Sequence, residues 1–220
     1  MSAVTRISIP SPVHLVAAPA SDRGRFTFND VAAFIPPSGP AVLSATDGKC
    51  AAFVPADVPD RVSAGRMLLP HSAVKVCKRT RKGPMPMLTM NGRAEVPGGA
   101  SFEVPDQACS FPPVAEVIPA DELVKRGNVI SLNPSLLLKL AEALGSGESV
   151  SLVMDPSGKG PIVVLADDRA APEGSVGLLM PRYTDGSAED VRNDAVLRLR
   201  KVREVIGSAG SPIVQEGGAA

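Results

Sequence analysis

Lys75, Lys78, Arg79 and Lys82 recur at three- and four-residue spacings, with Arg81 beside them. On a helix they share one broad face. Such a face is a local basic patch. A solvated basic helix end is the plainer reading, because cations are favourable at a helix C-terminus in any case. Catalytic chemistry is harder to find. Asp155-Pro156-Ser157-Gly158-Lys159-Gly160 has the look of a phosphate loop, but it lacks the full Gly-x-x-x-x-Gly-Lys-Ser/Thr pattern and no helix follows, so it reads as a hairpin turn. His14 and His71 are the only histidines and have no Cys or carboxylate cluster beside them in sequence. Asp167 and Asp168 are adjacent, which on a strand points them to opposite faces. Cys50, Cys77 and Cys109 are odd in number and widely spaced, which fits neither a disulfide framework nor a metal site. The reading is a non-enzymatic protein with no cofactor and no metal.

The chain that must position these groups has 220 residues and a mass of 22.7 kDa, room for one large domain or two small ones. Hydrophobic residues make up 44% and aromatics only 3%, so the core is aliphatic. The 22 prolines and 20 glycines fall between short apolar runs, which predicts many short strands and turns rather than a helical bundle. Formal net charge is zero, so the chain offers nucleic acid at most a local basic patch. There is neither a long apolar span nor a basic-then-apolar leader, and a soluble, cytoplasmic protein is expected.

Residues 1–24 read as irregular, with a brief helix after Pro10-Ser11-Pro12. Arg25 to Phe28 and Val31 to Ile35 read as one strand or two. Ala41 to Ala45 enters the Asp47-Gly48 turn and Cys50 to Val54 leaves it, a hairpin pattern. Pro70 to Thr80 is a predicted helix, with Leu69, Ala73, Val76 and Cys77 on its less polar side. Met87 to Met90 and Arg93 to Val96 flank Asn91-Gly92, a second hairpin signal. Ala100 to Val104 is another strand. After Pro119, Val129 to Leu132 reads as a strand, and Asn133 caps a helix that opens on Pro134 and stops at Gly145. Val150 to Met154, Pro161 to Leu165 and Ser175 to Met180 are strands. Ser187 to Asp190 opens a last helix, with Val191, Ala195, Leu199, Val202 and Ile206 on or near one face. A flexible stretch follows from Ser211.

In this order the segments resemble a known family, the bacterial-type DNA sliding clamp, the beta subunit of the replicative polymerase. The resemblance rests on Ser44-Ala45-Thr46-Asp47-Gly48-Lys49, on Met67 to Pro70, on Leu88 to Val96 and on Phe111-Pro112-Pro113 through Pro119. It continues in Ile130 to Leu137 and in Gly177-Leu178-Leu179-Met180-Pro181-Arg182. It covers roughly residues 7 to 183; no motif is specific alone, and order and spacing carry it. It implies an α+β fold of DNA-clamp-like strand–helix–strands units, with antiparallel sheets outside and short helices inside. Residues 1–119 resemble a middle domain, 120–183 part of a C-terminal domain, and 184–220 an extra helix and flexible tail. A first domain, and half of the last, have no counterpart, so ring closure is not implied.

What the resemblance implies about function is a pocket between those two domains for short apolar partner motifs. Thr46, Gly48, Lys49, Cys50 and Ala51 stand on one wall, and Leu178, Met180, Pro181 and Arg182 on the other. Cys50 and Ala51 replace larger family residues and change the pocket's depth. Read apart from the family, Asp47-Gly48 is only a turn and Met180 only a strand end. The expected function is a clamp-like accessory factor for DNA replication or repair. It would bind clamp-binding peptides of polymerases or repair proteins and place them on duplex DNA without sequence specificity, through Lys75, Lys78, Arg79 and Lys82. The alternative is a clamp-fold structural or interaction module without DNA encirclement. Both a homo-oligomer and a protein competing for clamp partners are compatible with the shortened architecture, and no membrane role is expected.

Overall fold

The computed structural model describes residues 4–17, 29–48, 50–60, 63–77, 84–127, 129–144, 149–154, 160–166, 176–180, 187–210 and 212–213. The chain divides into two compact units: residues 1–118 with 198–220, and residues 119–197.

In the first unit, β1 (Thr5–Ser8), β6 (Met87–Met90), β7 (Arg93–Glu95) and β8 (Ser101–Glu103) form one antiparallel sheet in that order. A second sheet runs β4 (Ala51–Ala56), β3 (Ala41–Thr46), β2 (Val31–Ile35), β5 (Gly65–Leu69). Its inner strands β2 and β3 are buried along their whole length, and β2 is apolar without interruption, because both faces are covered. Val31, Ala33, Leu43, Met67 and Leu69 face the main core, which they share with Ile7, Leu88 and Met90 of the other sheet. Ala32, Phe34 and Leu68 point the opposite way and pack with Phe111, Val114 and Ala209. This is the period-two alternation of a strand used on both sides.

Helix α1 spans His71–Val76 and buries Ala73 and Val74, with Cys77 buried just beyond it. The expected apolar side is corrected here: Val76 is exposed, and Val74 takes the inward position because one turn on from Pro70 it faces the core. A 3-10 turn, Val13–Val16, follows β1. That β1 strand was not legible in the stretch read as irregular; Ile7 and Ser8 pair with Leu88 and Met87 across more than seventy residues. The β6–β7 hairpin forms at Asn91-Gly92, but only Gly92 takes a positive φ, 90°. With Met90 opposite Ala94, three residues make the connection, so it is a three-residue loop with one left-handed position and not the two-residue turn the dipeptide favours.

The second unit carries α2 (Asp121–Arg126), α3 (Pro134–Ala143) and a three-stranded antiparallel sheet ordered β11 (Val176–Leu179), β10 (Ile162–Ala166), β9 (Val150–Val153). Asn133 caps α3 as expected: its Oδ1 accepts the Ser135 N–H at 3.0 Å, with Pro134 at the first helical position. Leu137, Leu140 and Leu144 pack on Ile162, Val164 and Leu179. The approach is close at Gly177, where an added Cβ would stand 2.7 Å from Leu140. Val129 to Leu132 is not a strand in the described residues; Ile130 and Leu132 reach this core by side-chain packing instead of joining a ladder. Arg25 to Phe28 lies outside the described residues.

Helix α4 runs Ala188–Ala209. Ser187 and Asp190 form a reciprocal cap: the Asp190 N–H donates to Ser187 Oγ at 3.1 Å, and Ser187 N–H donates to Asp190 Oδ2 at 3.0 Å. The Ser187 hydroxyl, donating to Asp190 Oδ2 at 2.9 Å, and then the Ser187 N–H hold the Asp190 carboxyl below its usual range. The buried stripe differs from the expected one. Val196 and Ala209 are buried and Val191 is exposed, a drift that follows from 3.6 residues per turn over a long helix.

Candidate functional site: an exposed apolar sheet face and a polar turn

The β3–β4 hairpin holds the first group of predicted residues. Thr46 ends β3 opposite Ala51 and is buried. Its hydroxyl accepts the Gly48 N–H at 3.1 Å and donates to the Cys50 carbonyl at 2.6 Å. Asp47 Oδ1 accepts the Cys50 N–H at 2.9 Å. Gly48 has φ 86°, which fits glycine at this corner. The result is a rigid turn closed by side chains, with Cys50 and Ala51 exposed. Partial desolvation, and then its contact with the Asp47 carboxylate at 3.4 Å, push the Cys50 thiol above its ordinary value. Lys49 lies outside the described residues.

The second group sits on the three-stranded sheet. One face of that sheet is turned to α3. On the other, the ladder sets Leu178, Val163 and Val153 in one row and Val176, Leu165 and Ser151 in the next. Their exposures are high for apolar side chains: Leu178 66%, Val176 57% and Val153 53%. Met180 follows Leu178 by two residues and is 63% exposed. The structure thus places Leu178 with four apolar neighbours, Val153, Val163, Leu165 and Val176, that the sequence reading had taken only as strand residues. The signal that could have found them is alternation: Val176, Leu178 and Met180 occupy every second position, as do Val163 and Leu165, while Gly177, Leu179, Ile162 and Val164 carry the core. A contiguous apolar patch on an otherwise solvated face marks interaction surfaces. Pro181 and Arg182 lie outside the described residues.

Of the four predicted DNA-facing cations, Lys75 is exposed on α1, and Lys78, Arg79 and Lys82 lie outside the described residues. Lys75 stands at a cavity of about 470 Å³ walled by Ile9, Pro10, Pro12, His14 and Cys77. The two histidines, far apart in sequence, meet edge to face with ring centroids 5.4 Å apart. The His71 backbone N–H donates to Asp30 Oδ1 at 3.4 Å, and burial pushes the Asp30 carboxyl up despite that bond. No group of three metal-ligating side chains occurs among the described residues, and no helix among them is long and apolar enough to cross a membrane.

These features define a class by architecture: antiparallel sheets backed by short helices in strand–helix–strands units. Solved structures give that class its likeness. The chain is similar to the C. crescentus beta sliding clamp, with a TM-score of 0.56, 18% identity and coverage of 96% of this chain. It is also matched to the DNA polymerase III beta subunit of Thermotoga maritima at a TM-score of 0.46, 13% identity and 95% coverage. The DnaN sliding clamp of Bartonella birtlesii is matched at 0.39, 14% and 90%. The chain spans 57% of the length of each clamp chain. No protein-family model matches it, and no curated protein matches it. The expected α+β clamp-type fold is the fold observed.

Proposed function

We propose that this protein is a non-enzymatic, clamp-fold interaction module that binds short apolar segments of partner proteins. One observation carries the reading: the open sheet face on which Leu178 and Met180 lie beside Val153, Val163, Leu165 and Val176. Aliphatic side chains with a methionine among them suit varied apolar ligands, because methionine adapts its shape at little cost. The turn residues Thr46, Gly48, Lys49, Cys50 and Ala51, with Pro181 and Arg182, are proposed as further peptide contacts that fix the direction of the bound segment. In this reading residues 1–119 act as a clamp-like middle domain, 120–183 as part of a C-terminal one and 184–220 as an added helix and tail. The partners fitting a clamp-type fold are polymerases and repair proteins that carry clamp-binding peptides.

The test is fluorescence anisotropy with a labelled apolar clamp-binding peptide. Replacing both Leu178→Ala and Met180→Ala removes exposed side chains only, so the fold should persist. Loss of two apolar anchors should weaken binding by roughly 10- to 100-fold. Unchanged affinity in the double variant would overturn the assignment.

A second reading adds loose placement on duplex DNA. Its support is the exposed Lys75 on α1; the helix expected from Pro70 to Thr80 ends at Val76 with Cys77 as its C-cap, so the shared helical face expected for Lys78, Arg79 and Lys82 is not part of that support. Zero net charge and the lone cation of α3, Lys139, limit the affinity to a weak and strongly salt-dependent one.

A further inference from the structure

Strand β5 is the outermost strand of its sheet, with β2 on one side. Its other side is a free edge unless something pairs with it. The Leu68 rung is filled by a side chain: Gln107 Oε1 accepts the Leu68 N–H at 2.7 Å, and Gln107 Nε2 donates to the Leu68 carbonyl at 3.0 Å. The primary amide here does what one residue of a neighbouring strand would do. The Arg66 rung is filled differently. Pro212 lies opposite Arg66 in a parallel bridge, and the Ile213 N–H donates to the Arg66 carbonyl at 2.8 Å.

The two rungs are held differently, one by a side-chain amide and one by backbone. Gln107 is itself anchored by a third bond, to the Pro105 carbonyl at 2.9 Å, and its own carbonyl accepts from Arg66 Nη2 at 3.1 Å. The Pro212–Ile213 rung is a parallel backbone bridge, seen among the described residues in the Ile213 N–H bond to the Arg66 carbonyl. Beside it lies a cavity of about 210 Å³ among Phe34, Arg66, Phe111, Val114, Ile206 and Pro212. This is an open cleft with both polar and apolar walls, which the resident segment does not fill. Arg66 Nε is buried and meets no acceptor among the described residues, an unused donor at the same place.

We propose that this edge of β5 is a strand-addition site for an extended partner peptide, and that Pro212–Ile213 is its exchangeable occupant in cis. The groove specifies its ligand. The peptide runs parallel to β5, gives one backbone N–H to the Arg66 carbonyl, offers a carbonyl to Arg66 Nε, and carries a large aliphatic side chain for the space between Phe34 and Phe111. Main-chain pairing supplies affinity and the pocket supplies selectivity. The site is separate from the Leu178 and Met180 face, so either can fail without the other.

The test uses the full chain and a labelled synthetic peptide with the sequence of residues 208–216 as probe. Ile213→Asp places a charge where Ile213 packs on the core and should release the segment in cis. The variant should bind the probe saturably and at least tenfold more tightly than the wild type. An Ile213→Asp chain that melts like the wild type yet binds no better overturns the proposal. Hydrogen exchange on the unaltered chain gives an independent reading. The Ile213 amide should exchange at least 100-fold faster than the Leu68 amide, and equal rates would mean the segment leaves only on unfolding.

Discussion

Gln107→Ala should be among the most damaging substitutions of a polar side chain in this molecule, and the reason is countable. Gln107 satisfies both backbone groups of Leu68, at 2.7 and 3.0 Å, and Leu68 is wholly buried. Its third bond, to Pro105 at 2.9 Å, holds the loop that brings it there. A buried backbone group left without a partner costs about 1–3 kcal/mol, and an ordinary bond contributes about 1 kcal/mol net. Water reaching the new gap will recover part of this. The expected loss is about 3 kcal/mol, a large share of the roughly 5–15 kcal/mol that holds a domain together. The first unit should still fold, with its melting temperature lowered by roughly 6–12 °C.

Urea unfolding followed by circular dichroism reads the loss, and exchange at the Leu68 amide locates it. Gln107→Glu separates hydrogen bonding from packing, since the introduced carboxylate fills the same space. It still accepts the Leu68 N–H but faces the Leu68 carbonyl with a second acceptor. That carboxyl is expected to have a folded pKa above its unfolded value of about 4.3. The sign follows: stability is retained below about pH 4 and lost as pH rises through the raised folded value. A loss below about 0.5 kcal/mol in Gln107→Ala, or a Gln107→Glu stability that ignores pH, would refute this account of the β5 edge.

Replacing Lys75, Lys78, Arg79 and Lys82 together should reduce any duplex binding by similar factors for all sequences and flatten its salt dependence, while leaving peptide binding alone; association constants across a salt series decide it, and an unchanged slope excludes these cations. Thiol titration of the native chain should show Cys109 and Cys50 modified before Cys77, whose thiol burial pushes up to about 11; Cys77 should react only on unfolding or at strongly alkaline pH, and rapid modification of all three near pH 8 would contradict the burial.

Much of the fold was readable because it depends on local chemistry. Asn133-Pro134 announces a helix start, Asp47-Gly48 and Asn91-Gly92 announce turns, and the apolar run Val31-Ala32-Ala33-Phe34-Ile35 announces a strand. What was missed depends on pairing at a distance. Thr5–Ser8 has too little alternation to read as a strand alone and becomes one by its ladder to Met87–Met90. Val129 to Leu132 has strand composition yet joins no ladder among the described residues. At the candidate site, Leu178 and Met180 came to notice through resemblance. Val153, Val163 and Leu165 did not: alternation separates the two sets, but which of them faces solvent is decided by where α3 packs. Gln107 was invisible for a related reason: a glutamine in a loop has no periodicity, and its role exists only once β5 has an edge.

The β4–β3–β2–β5 sheet and the three-stranded sheet of the second unit, compared with each other, bear on the proposed binding role more directly than either does alone. Both alternate apolar residues onto both faces. In the first unit the second face, Ala32, Phe34 and Leu68, is covered by Phe111, Val114 and the last turns of α4. In the second unit the corresponding choice of Val153, Val163, Leu165, Val176 and Leu178 leaves an apolar face in water. A solvated sheet face gains nothing in stability from leucine and methionine over threonine, which also suits a strand. It gains a hazard, since exposed apolar patches promote unwanted association. The covered sheet shows that this chain can bury such a face when burial is its purpose. Under the proposed function the uncovered face receives a partner, and its width, three strands and two rows of side chains, would suit a short linear segment better than a whole domain.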